Sequence, residues 1–544
     1  MPGPAAAGES RPVSRHFKNI SLVASATMVS RVLGLGRDVL VTAVFGIEAI
    51  ASAFYTAFTL PNLFRRLLGE GALTAAFVPT LNEEIQRRGR QGAFALVNQV
   101  ASWLLVASGA VVAVGMAGLW ILGRIGPARV PAGVETDTWV RWVAAADLGV
   151  VLFPYLVFVS LAAAFSATLQ TLNRFLEPAL SPIWLNLAMI GFLAGGAYGG
   201  WAGDQRGAML WLCAGALLGG FLQMAVPAAA LMREGWRPRA DFGRGEPLRQ
   251  IARLMGPTVL GSAVYLINIS VSRFIGLSLN DSAVAALNLA TRLMELPIGV
   301  FTVAVSTVVF PLISRHAAAG DRAQLAAAYH KGVRLILAVN LPAAAGLAVL
   351  AEPIVRVLFQ RGAFDGGDTL ALGPVLLTYA LGLPFLAWTN IVLRAFYARK
   401  DTATPVRAAV LSLLVNIVGS FLLMKPLGTV GLAAAGNLAT VFQLIYLQMR
   451  LRRLDDRLGV RPVGSDLIKV GIVSLLMAAL VWALWRSVAG WASRGVWAEA
   501  LLLGGVIGAG AVFCGGALWF LRIEGREDLV AMLRRRGSRR GGVG

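Results

Sequence analysis

Three charged side chains lie inside an apolar stretch near the start of the chain, in SRVLGLGRDVL at residues 30–40. Arg31, Arg37 and Asp38 stand where a membrane helix would carry hydrocarbon, and an arginine at mid-bilayer costs about 2.5–3.5 kcal/mol on insertion scales. Asp38 follows Arg31 by nearly two helical turns, so these two should share a face, with Arg37 about 120° away. We therefore expect Asp38 to orient Arg31 without neutralising the whole set.

A second cationic pair follows a proline in FTLPNLFRR, residues 58–66. Pro61 is expected to break the helix because proline removes a backbone hydrogen bond, and a break is tolerated in a membrane only beside protein or a watery cavity. Arg65 and Arg66 point about 100° apart, so only one of them should face such a cavity. Glu70 is expected either to pair with these arginines or to cap the helix at the interface.

Three more arginines, Arg273, Arg292 and Arg394, fall within apolar stretches. Arg292 lies three residues before Glu295, on one helix face where the two could pair. Arg394 lies near a helix end, where its side chain could reach the interface.

Few acids are available in the apolar stretches to match so many cations. A cavity lined by guanidinium groups suits phosphate, because arginine stays charged and offers a planar, bidentate fork. The residues therefore predict a large anionic cargo.

The elements that must hold these arginines are membrane helices. The chain has 544 residues, of which 57% are apolar and 14% charged, and a mean hydropathy of +0.70, which excludes an ordinary soluble domain. Apolar stretches of the length that a span needs recur along the chain. The prediction is an all-α integral membrane protein of about fourteen spans, at residues 20–45, 49–80, 94–123, 142–172, 177–199, 207–232, 250–277, 283–314, 330–352, 369–397, 405–424, 429–449, 467–485 and 499–521. Pro61, Pro154, Pro297 and Pro384 are candidate bending points.

The distribution of positive charge predicts the orientation in the membrane. The net charge is +21, and most of the excess lies in loops 236–253 and 450–462 and in the tail at 534–540. All three segments fall on the side that holds both termini, so the positive-inside rule predicts cytoplasmic termini, with residues 1–17 as a disordered tail. Topology and anionic phospholipid headgroups explain the basic runs, which disfavours nucleic acid as a partner.

Neither the cysteines nor the histidines form a recognisable metal or catalytic pattern. Cys213 and Cys514 fall within apolar stretches, and His16, His316 and His330 lie apart in cytoplasmic segments without a paired acidic motif. No metal site, cofactor or catalytic residue is predicted.

An internal repeat appears at an offset of about 230–242 residues. The segment at residues 30–35, SRVLGL, echoes SRFIGL at 272–277, and Asn186 recurs as Asn416. An even number of helices separates the copies, so the halves should be related by an axis along the membrane normal, as in transporters that bind substrate between their halves. The predicted organisation is a first lobe at 18–235, a second lobe at 236–455, a C-terminal helix pair at 456–522 and a basic cytoplasmic tail at 523–544.

Several segments resemble the MurJ/MviN lipid II flippase family of the multidrug/oligosaccharidyl-lipid/polysaccharide exporter superfamily. The resemblance runs from about residue 17 to about 450 and rests on motifs at 30–38, 58–79, 290–300, 357–369 and 394–405, which read SRVLGLGRD, FTLPNLFRRLLGEGALTAAFVP, ATRLMELPIGV, VLFQRGAFDGGDT and RAFYARKDTATP. The family's fourteen-helix plan also fits the two extra C-terminal helices.

The resemblance implies a bacterial inner-membrane transporter that carries lipid II, the undecaprenyl-diphosphate-linked peptidoglycan precursor, to the periplasmic leaflet by alternating access. Arg31, Arg37, Arg65 and Arg292 match the family's cavity arginines, which are thought to engage the headgroup. The family's C-terminal helix pair forms a groove for the lipid tail. Other cell-wall synthesis proteins are possible partners. Some members carry acids at a sodium site where this chain has Ser272 and Ser420, which favours the membrane potential as the driving force.

Three other hypotheses remain open at the level of the sequence. One is a flippase for another polyprenyl-linked saccharide or a drug exporter of the same superfamily, although a cation exporter would be expected to carry acids in its cavity. The second is a membrane enzyme acting on polyprenyl phosphates, which the absence of a catalytic motif disfavours. The third is a scaffold with an inert transporter fold.

Overall fold

The computed structural model describes residues 11–69, 72–125, 130–131, 133–299, 303–492 and 495–521. Within those ranges all regular secondary structure is helical, with two short 3-10 helices at Asp456–Leu458 and Arg461–Val463. The α-helices are α1 (Arg11–Phe45), α2 (Ala49–Gly69), α3 (Ala72–Ile125), α4 (Thr136–Leu152), α5 (Tyr155–Thr171), α6 (Leu176–Tyr198), α7 (Gln205–Arg233), α8 (Glu246–Leu279), α9 (Ala283–Pro297), α10 (Val303–Ala318), α11 (Arg322–Val349), α12 (Ala351–Phe359), α13 (Gly366–Ala398), α14 (Ala403–Leu454), α15 (Gly464–Ala492) and α16 (Val496–Phe520).

The prediction of an all-α membrane protein is confirmed. Eight helices in the described part of the chain are long and apolar enough to cross a membrane, and α4 and α5 together make a possible ninth. Every predicted span falls on one or two of the helices. The count of about fourteen spans stays a prediction.

Helix α14 is two antiparallel helices joined at Gly428. A straight helix of its 52 residues would be about 78 Å long, more than twice the hydrocarbon thickness of a bilayer. Gly428 has φ 56° and ψ −134°, which are not helical values. The Ser412 hydroxyl donates to the Ala439 carbonyl at 3.0 Å, and a Cβ at Gly431 would lie 2.1 Å from the Leu423 carbonyl oxygen. Contacts between residues so far apart in sequence require the chain to turn back on itself, as the predicted spans 405–424 and 429–449 imply.

The prolines behave in three different ways. Pro154 separates α4 from α5, which are bent by 47°, so its prediction as a bending point is confirmed. Pro297 is the last residue of α9, and residues 300–302 of the predicted span 283–314 lie outside the described residues. Pro61 lies inside α2, which continues to Gly69, so the predicted interruption at Pro61 is wrong. The missing amide hydrogen of one proline is not enough to end a helix whose other backbone bonds are made.

The start of α1 also differs from the prediction. The helix begins at Arg11, so residues 11–17 are helical, although the sequence predicted them as part of a disordered tail. Pro12 is compatible with this start because proline is tolerated in the first helical turn, where its missing N–H has no partner to lose. Residues 1–10 and the predicted tail at 523–544 lie outside the described residues.

The chain divides into two compact units, Met1–Val284 and Ala285–Gly544. Helix α8 packs against α2, α3 and α4 and belongs to the first unit, whereas the predicted lobe boundary at 235/236 assigned it to the second. Helix α8 therefore buries surface on helices that precede it in the chain, and the lobe boundary at 235/236 stays a prediction. Two lobes of six helices remain a prediction.

In the first unit, small residues let α6 and α7 approach closely. A Cβ at Gly219 would lie 2.7 Å from the Leu185 Cα, and one at Gly215 would lie 2.8 Å from the Ala188 carbonyl oxygen. This spacing of small residues is a common way for membrane helices to pack. It places α6 so that Asn186, one residue beyond Leu185, is buried.

In the second unit, the C-terminal helices pack onto α11 and α12. Val473, Met477 and Val481 of α15 share a buried cluster with Leu503 and Val506 of α16. Arg334 of α11 pairs with Asp466 of α15 at 2.7 Å. Helix α16 also carries large apolar side chains on its surface. Leu501 is 77% exposed and Phe520 is 86% exposed, which suits contact with lipid. The predicted lipid-tail groove remains a prediction.

Replacing Gly428 by alanine should destabilise the chain. The φ of 56° is strained for a residue with a Cβ, at a cost of about 1–3 kcal/mol, while the added methyl group would meet no atom within 4 Å. The matched control is Gly436→Ala in the same helix, whose Cβ would make an ordinary 3.9 Å contact with Tyr379 and should be neutral or mildly stabilising. Thermal unfolding of both purified variants checks this, and equal midpoints would contradict it.

Candidate functional site

Arg37 is buried and neutralised by the residue that follows it. Its Nη2 donates to Asp38 Oδ1 at 2.6 Å and its Nε donates to the same oxygen at 3.1 Å. The Asp38 side chain is fully buried, and that of Arg37 is 11% exposed. The expectation that Asp38 orients Arg31 is therefore wrong. Adjacent residues point about 100° apart on a helix, but the long arginine stem allows the guanidinium to fold back onto its neighbour.

Asn186 of α6 completes this cluster and ties it to α1. Its Oδ1 accepts from Arg37 Nη1 at 3.2 Å, and its Nδ2 donates to the Ser30 carbonyl at 3.3 Å and to the Pro182 carbonyl at 3.0 Å. Met189 Sδ lies 3.8 Å from the same Arg37 nitrogen. We call Arg37, Asp38 and Asn186 the α1–α6 node. Its geometry fixes the backbone of α1 at Ser30, the residue before Arg31.

Arg31 differs from Arg37 in having no charge partner. Within the described part of the chain, its guanidinium makes no ion pair or hydrogen bond, and the residue is half-buried. The neighbouring Val29 and Val32 are 49% and 65% exposed. A methyl group added at Gly36 would meet no atom within 4 Å, so this glycine is not needed for helix packing and leaves room beside the node. Arg31 thus lies on an open stretch of α1, next to the residue whose backbone Asn186 holds.

The second helix carries its arginines in its last turns. Arg65 and Arg66 lie in α2 shortly before it ends at Gly69. Their side chains and Glu70 lie outside the described residues, so their roles stay predictions. Pro61 is buried within the same helix.

In the second unit, the predicted pairing of Arg292 with Glu295 is confirmed. Arg292 Nη1 lies 3.8 Å from Glu295 Oε2, and the two side chains are 37% and 38% exposed. This distance is that of a loose ion pair rather than a short hydrogen bond. Both residues lie in the last two turns of α9, just before Pro297. Both side chains are also partly accessible from outside the protein.

The other membrane arginines make structural contacts. Arg273 Nη1 donates to the Val284 carbonyl at 3.0 Å. Arg394 lies over the Phe310 ring, 5.1 Å from its centroid, which is a cation–π contact that the sequence did not predict.

Sequence reasoning missed two arginines, Arg141 and Arg334. Arg141 of α4 binds the last turn of α8, with Nε donating to the Leu277 carbonyl at 2.8 Å, and pairs with Asp281 at 3.0 Å. Arg334 pairs with Asp466 and donates to the Pro462 carbonyl at 3.0 Å. Both lie near predicted span ends, where an arginine reads as an interfacial residue. A search for acids in facing loops could have found the Arg334 pair.

No acidic, cysteine or histidine cluster suited to a metal ion occurs among the residues that the structure describes. At the positions compared with a sodium site, Asn416 and Ser420 of α14 are buried. The described candidate residues are arginines, which can bind an anionic group.

Comparison with known proteins gives consistent matches. A family model described as "Lipid II flippase MurJ" matches residues 41–497. A probable lipid II flippase MurJ from Rhizobium tropici is 34% identical over 442 residues, which cover 80% of this chain and 81% of that protein. Its counterpart from Vibrio cholerae is 32% identical over 513 residues, which cover 91% of this chain and 94% of that protein. A solved structure of lipid II flippase MurJ in an inward closed conformation superposes with a TM-score of 0.72 at 25% identity, covering 92% of this chain and 99% of that one.

Removing Asp38 should destabilise the chain far more than removing an exposed acid. Asp38→Asn leaves the Arg37 guanidinium buried without its counter-charge, which costs about 3–5 kcal/mol. Asp281→Asn is the matched control, because Asp281 also pairs with an arginine but has a side chain that is 62% exposed, and exposed pairs contribute about 0–1 kcal/mol. Thermal unfolding midpoints of the purified variants test this. Equal midpoints for the two variants would show that the node is not a structural element.

Proposed function

This chain belongs to the lipid II flippase MurJ family, and we propose that it moves lipid II from the cytoplasmic to the periplasmic leaflet of the bacterial inner membrane for cell-wall synthesis. The family is one of transporters rather than enzymes. The observation that carries the proposal is the family match across residues 41–497. The multi-pass helical structure supports it, and so does Arg31 of α1, whose charge is not paired by any residue that the structure describes.

We propose that Arg31, Arg65 and Arg292 bind the headgroup. A diphosphate is the anionic group nearest the lipid tail, and a guanidinium can hold it with two parallel hydrogen bonds. Arg31 supports this role because no described residue compensates its charge. Arg292 supports it because its side chain is 37% exposed, so an anion can reach it, and Glu295 stays beside the guanidinium when the headgroup leaves.

Arg37 has a different role in this proposal. Since its guanidinium is bound to Asp38 and Asn186, it positions Arg31 by fixing α1 to α6 rather than offering a free charge. This revises the expectation that Arg37 binds substrate directly. Pro61, Glu70 and Pro297 remain candidate gating or supporting residues.

The cycle that we propose is alternating access, in which the chain opens first to the cytoplasm and then to the periplasm. In this proposal both termini lie in the cytoplasm, as the positive-inside rule predicts from the basic loops and tail. Moving one elementary charge through 100 mV is worth about 2.3 kcal/mol. An anionic headgroup leaving a negative interior therefore moves downhill, and the membrane potential can bias transport outward without a bound ion.

Expression of this chain should restore growth to bacteria depleted of their own lipid II flippase. The expected result is normal cell shape together with lipid II that becomes accessible at the periplasmic face. A chain that accumulates in the membrane at normal levels but neither restores growth nor exposes lipid II would contradict the proposed cargo, and would favour another polyprenyl-linked saccharide.

The variant Arg31→Ala should bind lipid II about tenfold to a hundredfold more weakly than the unaltered chain, because hydrogen bonds to charged groups contribute about 1.5–3 kcal/mol each. Arg31→Lys should lie between the two, since it keeps the charge but loses the planar fork. Equilibrium binding to purified protein measures both.

The matched control for this experiment is Arg124→Ala. Arg124 also lies in a membrane helix, in the last turn of α3, where it contacts the Trp120 ring. The variant Arg124→Ala should bind lipid II as tightly as the unaltered chain does. If Arg31→Ala binds lipid II as tightly as Arg124→Ala does, Arg31 is not part of the binding site.

A further inference from the structure

The chain between α14 and α15 carries an excess of positive charge. We call residues 450–469 the basic link, which ends α14, forms the two 3-10 helices and begins α15. It contains five arginines and one lysine but only three aspartates. Because the helices on either side of it are long and apolar enough to cross a membrane, the basic link lies at a membrane surface.

The three aspartates of the basic link are already paired with arginines. The pairs are Asp455 with Arg399 at 3.4 Å, Asp456 with Arg452 at 3.4 Å, and Asp466 with Arg334 at 2.7 Å. Two of these arginines, Arg399 and Arg334, come from outside the link. The acids of the link are therefore used mainly by other parts of the second unit, and most of the link's own cations are left without them.

Three arginines of the basic link have no acid beside them. Arg453, Arg457 and Arg461 are exposed, and no carboxylate in the described part of the chain pairs with them. They lie in the last turn of α14 and in the two 3-10 helices. The link therefore presents three charged guanidinium groups to its surroundings.

The backbone that carries these arginines is held in place by the second unit. Three of its carbonyls accept hydrogen bonds from side chains, namely Leu458 from Gln448 at 2.8 Å, Gly459 from His330 at 2.9 Å and Pro462 from Arg334 at 3.0 Å. Leu458 and Val463 are buried in a core cluster that includes Leu447. The arginines thus extend from a fixed backbone, which lowers the entropy lost on binding.

Apolar side chains flank the arginines on the surface of the basic link. Leu454 is 53% exposed and Ile468 is 66% exposed. A surface that combines exposed aliphatic and basic side chains suits the boundary between the hydrocarbon and the headgroups of a bilayer. Orientation by the positive-inside rule needs only a number of basic residues. A binding site also needs them unpaired and fixed, and Arg457 and Arg461 meet both conditions.

We propose that the basic link binds an anionic phospholipid of the leaflet that it faces, with Arg457 and Arg461 donating to the lipid phosphate. Basic side chains next to a membrane helix are attracted to anionic headgroups, and a guanidinium can hold a phosphate through two parallel hydrogen bonds. Phospholipid headgroups are the anions that surround a membrane surface, which favours them over a soluble partner. In the proposed orientation the leaflet is the cytoplasmic one. Binding here does not depend on lipid II being the transported cargo.

Photolabelling of the full chain in phosphatidylcholine nanodiscs tests the proposal. The probe is phosphatidylglycerol with a diazirine in its acyl chain next to the glycerol, and the competitors are unlabelled phosphatidylglycerol and inorganic phosphate. Saturable labelling within residues 450–469 that only phosphatidylglycerol displaces is the expected result. Labelling that is not saturable, that maps only outside these residues, or that inorganic phosphate displaces equally well overturns the proposal.

A double variant separates binding by the basic link from attraction to the whole charged chain. Arg457→Gln combined with Arg461→Gln removes two cations near the membrane and should weaken saturable labelling of the link about thirtyfold. Both side chains are exposed, and the hydrogen bonds that fix the link come from other residues, so the fold should be kept.

The matched control combines Arg88→Gln with Arg90→Gln in α3. These arginines are also exposed, but each already lies near an acid, Glu84 at 3.7 Å and Glu234 at 3.4 Å. The control removes the same charge from the chain and should leave labelling of the basic link unchanged. Equal labelling of the link in the two double variants overturns the proposal, because it would show that only the net charge attracts the lipid.

Discussion

A guanidinium in a membrane must have an anion, and that constraint explains how the first helix is built. At Arg37 the chain supplies the anion itself, through Asp38, and adds Asn186 from α6 as a further acceptor. At Arg31, six residues earlier and on the same helix, the described part of the chain supplies none. The two side chains are chemically identical but differ in their surroundings. We therefore assign a structural role to Arg37 and a binding role to Arg31.

The contacts of Arg37 also fix the segment of α1 that carries Arg31. Asn186 holds the guanidinium of Arg37 through its oxygen and the Ser30 carbonyl through its nitrogen. The close packing of α6 on α7 at Gly215 and Gly219 fixes the helix that carries Asn186. A cation on a rigid helix binds a phosphate with less loss of entropy than one on a mobile segment. In the proposed role of Arg31, packing between small residues is thus connected to substrate binding through the buried amide of Asn186.

Hydropathy and motifs were enough to predict the helical membrane fold and the family, because the length of apolar stretches and the motifs can be recognised in the sequence without knowing any contact. They also predicted the division at Gly428, since the spans 405–424 and 429–449 were separated before any contact was known. The partner of Asp38 could not be predicted, because helix periodicity gives the direction of Cβ but not the path of a long side chain. The packing of α8 on α2, α3 and α4 could not be predicted either, since a repeat in sequence does not say which neighbouring helices a helix contacts.

The most direct test is a structure of this chain with lipid II bound, in which the distance from the Arg31 guanidinium to the diphosphate is measured. Because no described residue pairs with Arg31, the proposed role predicts a phosphate oxygen within about 3 Å of an Arg31 guanidinium nitrogen, with the bond between Arg37 and Asp38 intact. A diphosphate bound elsewhere, with Arg31 directed toward acyl chains, would contradict this role for the first helix.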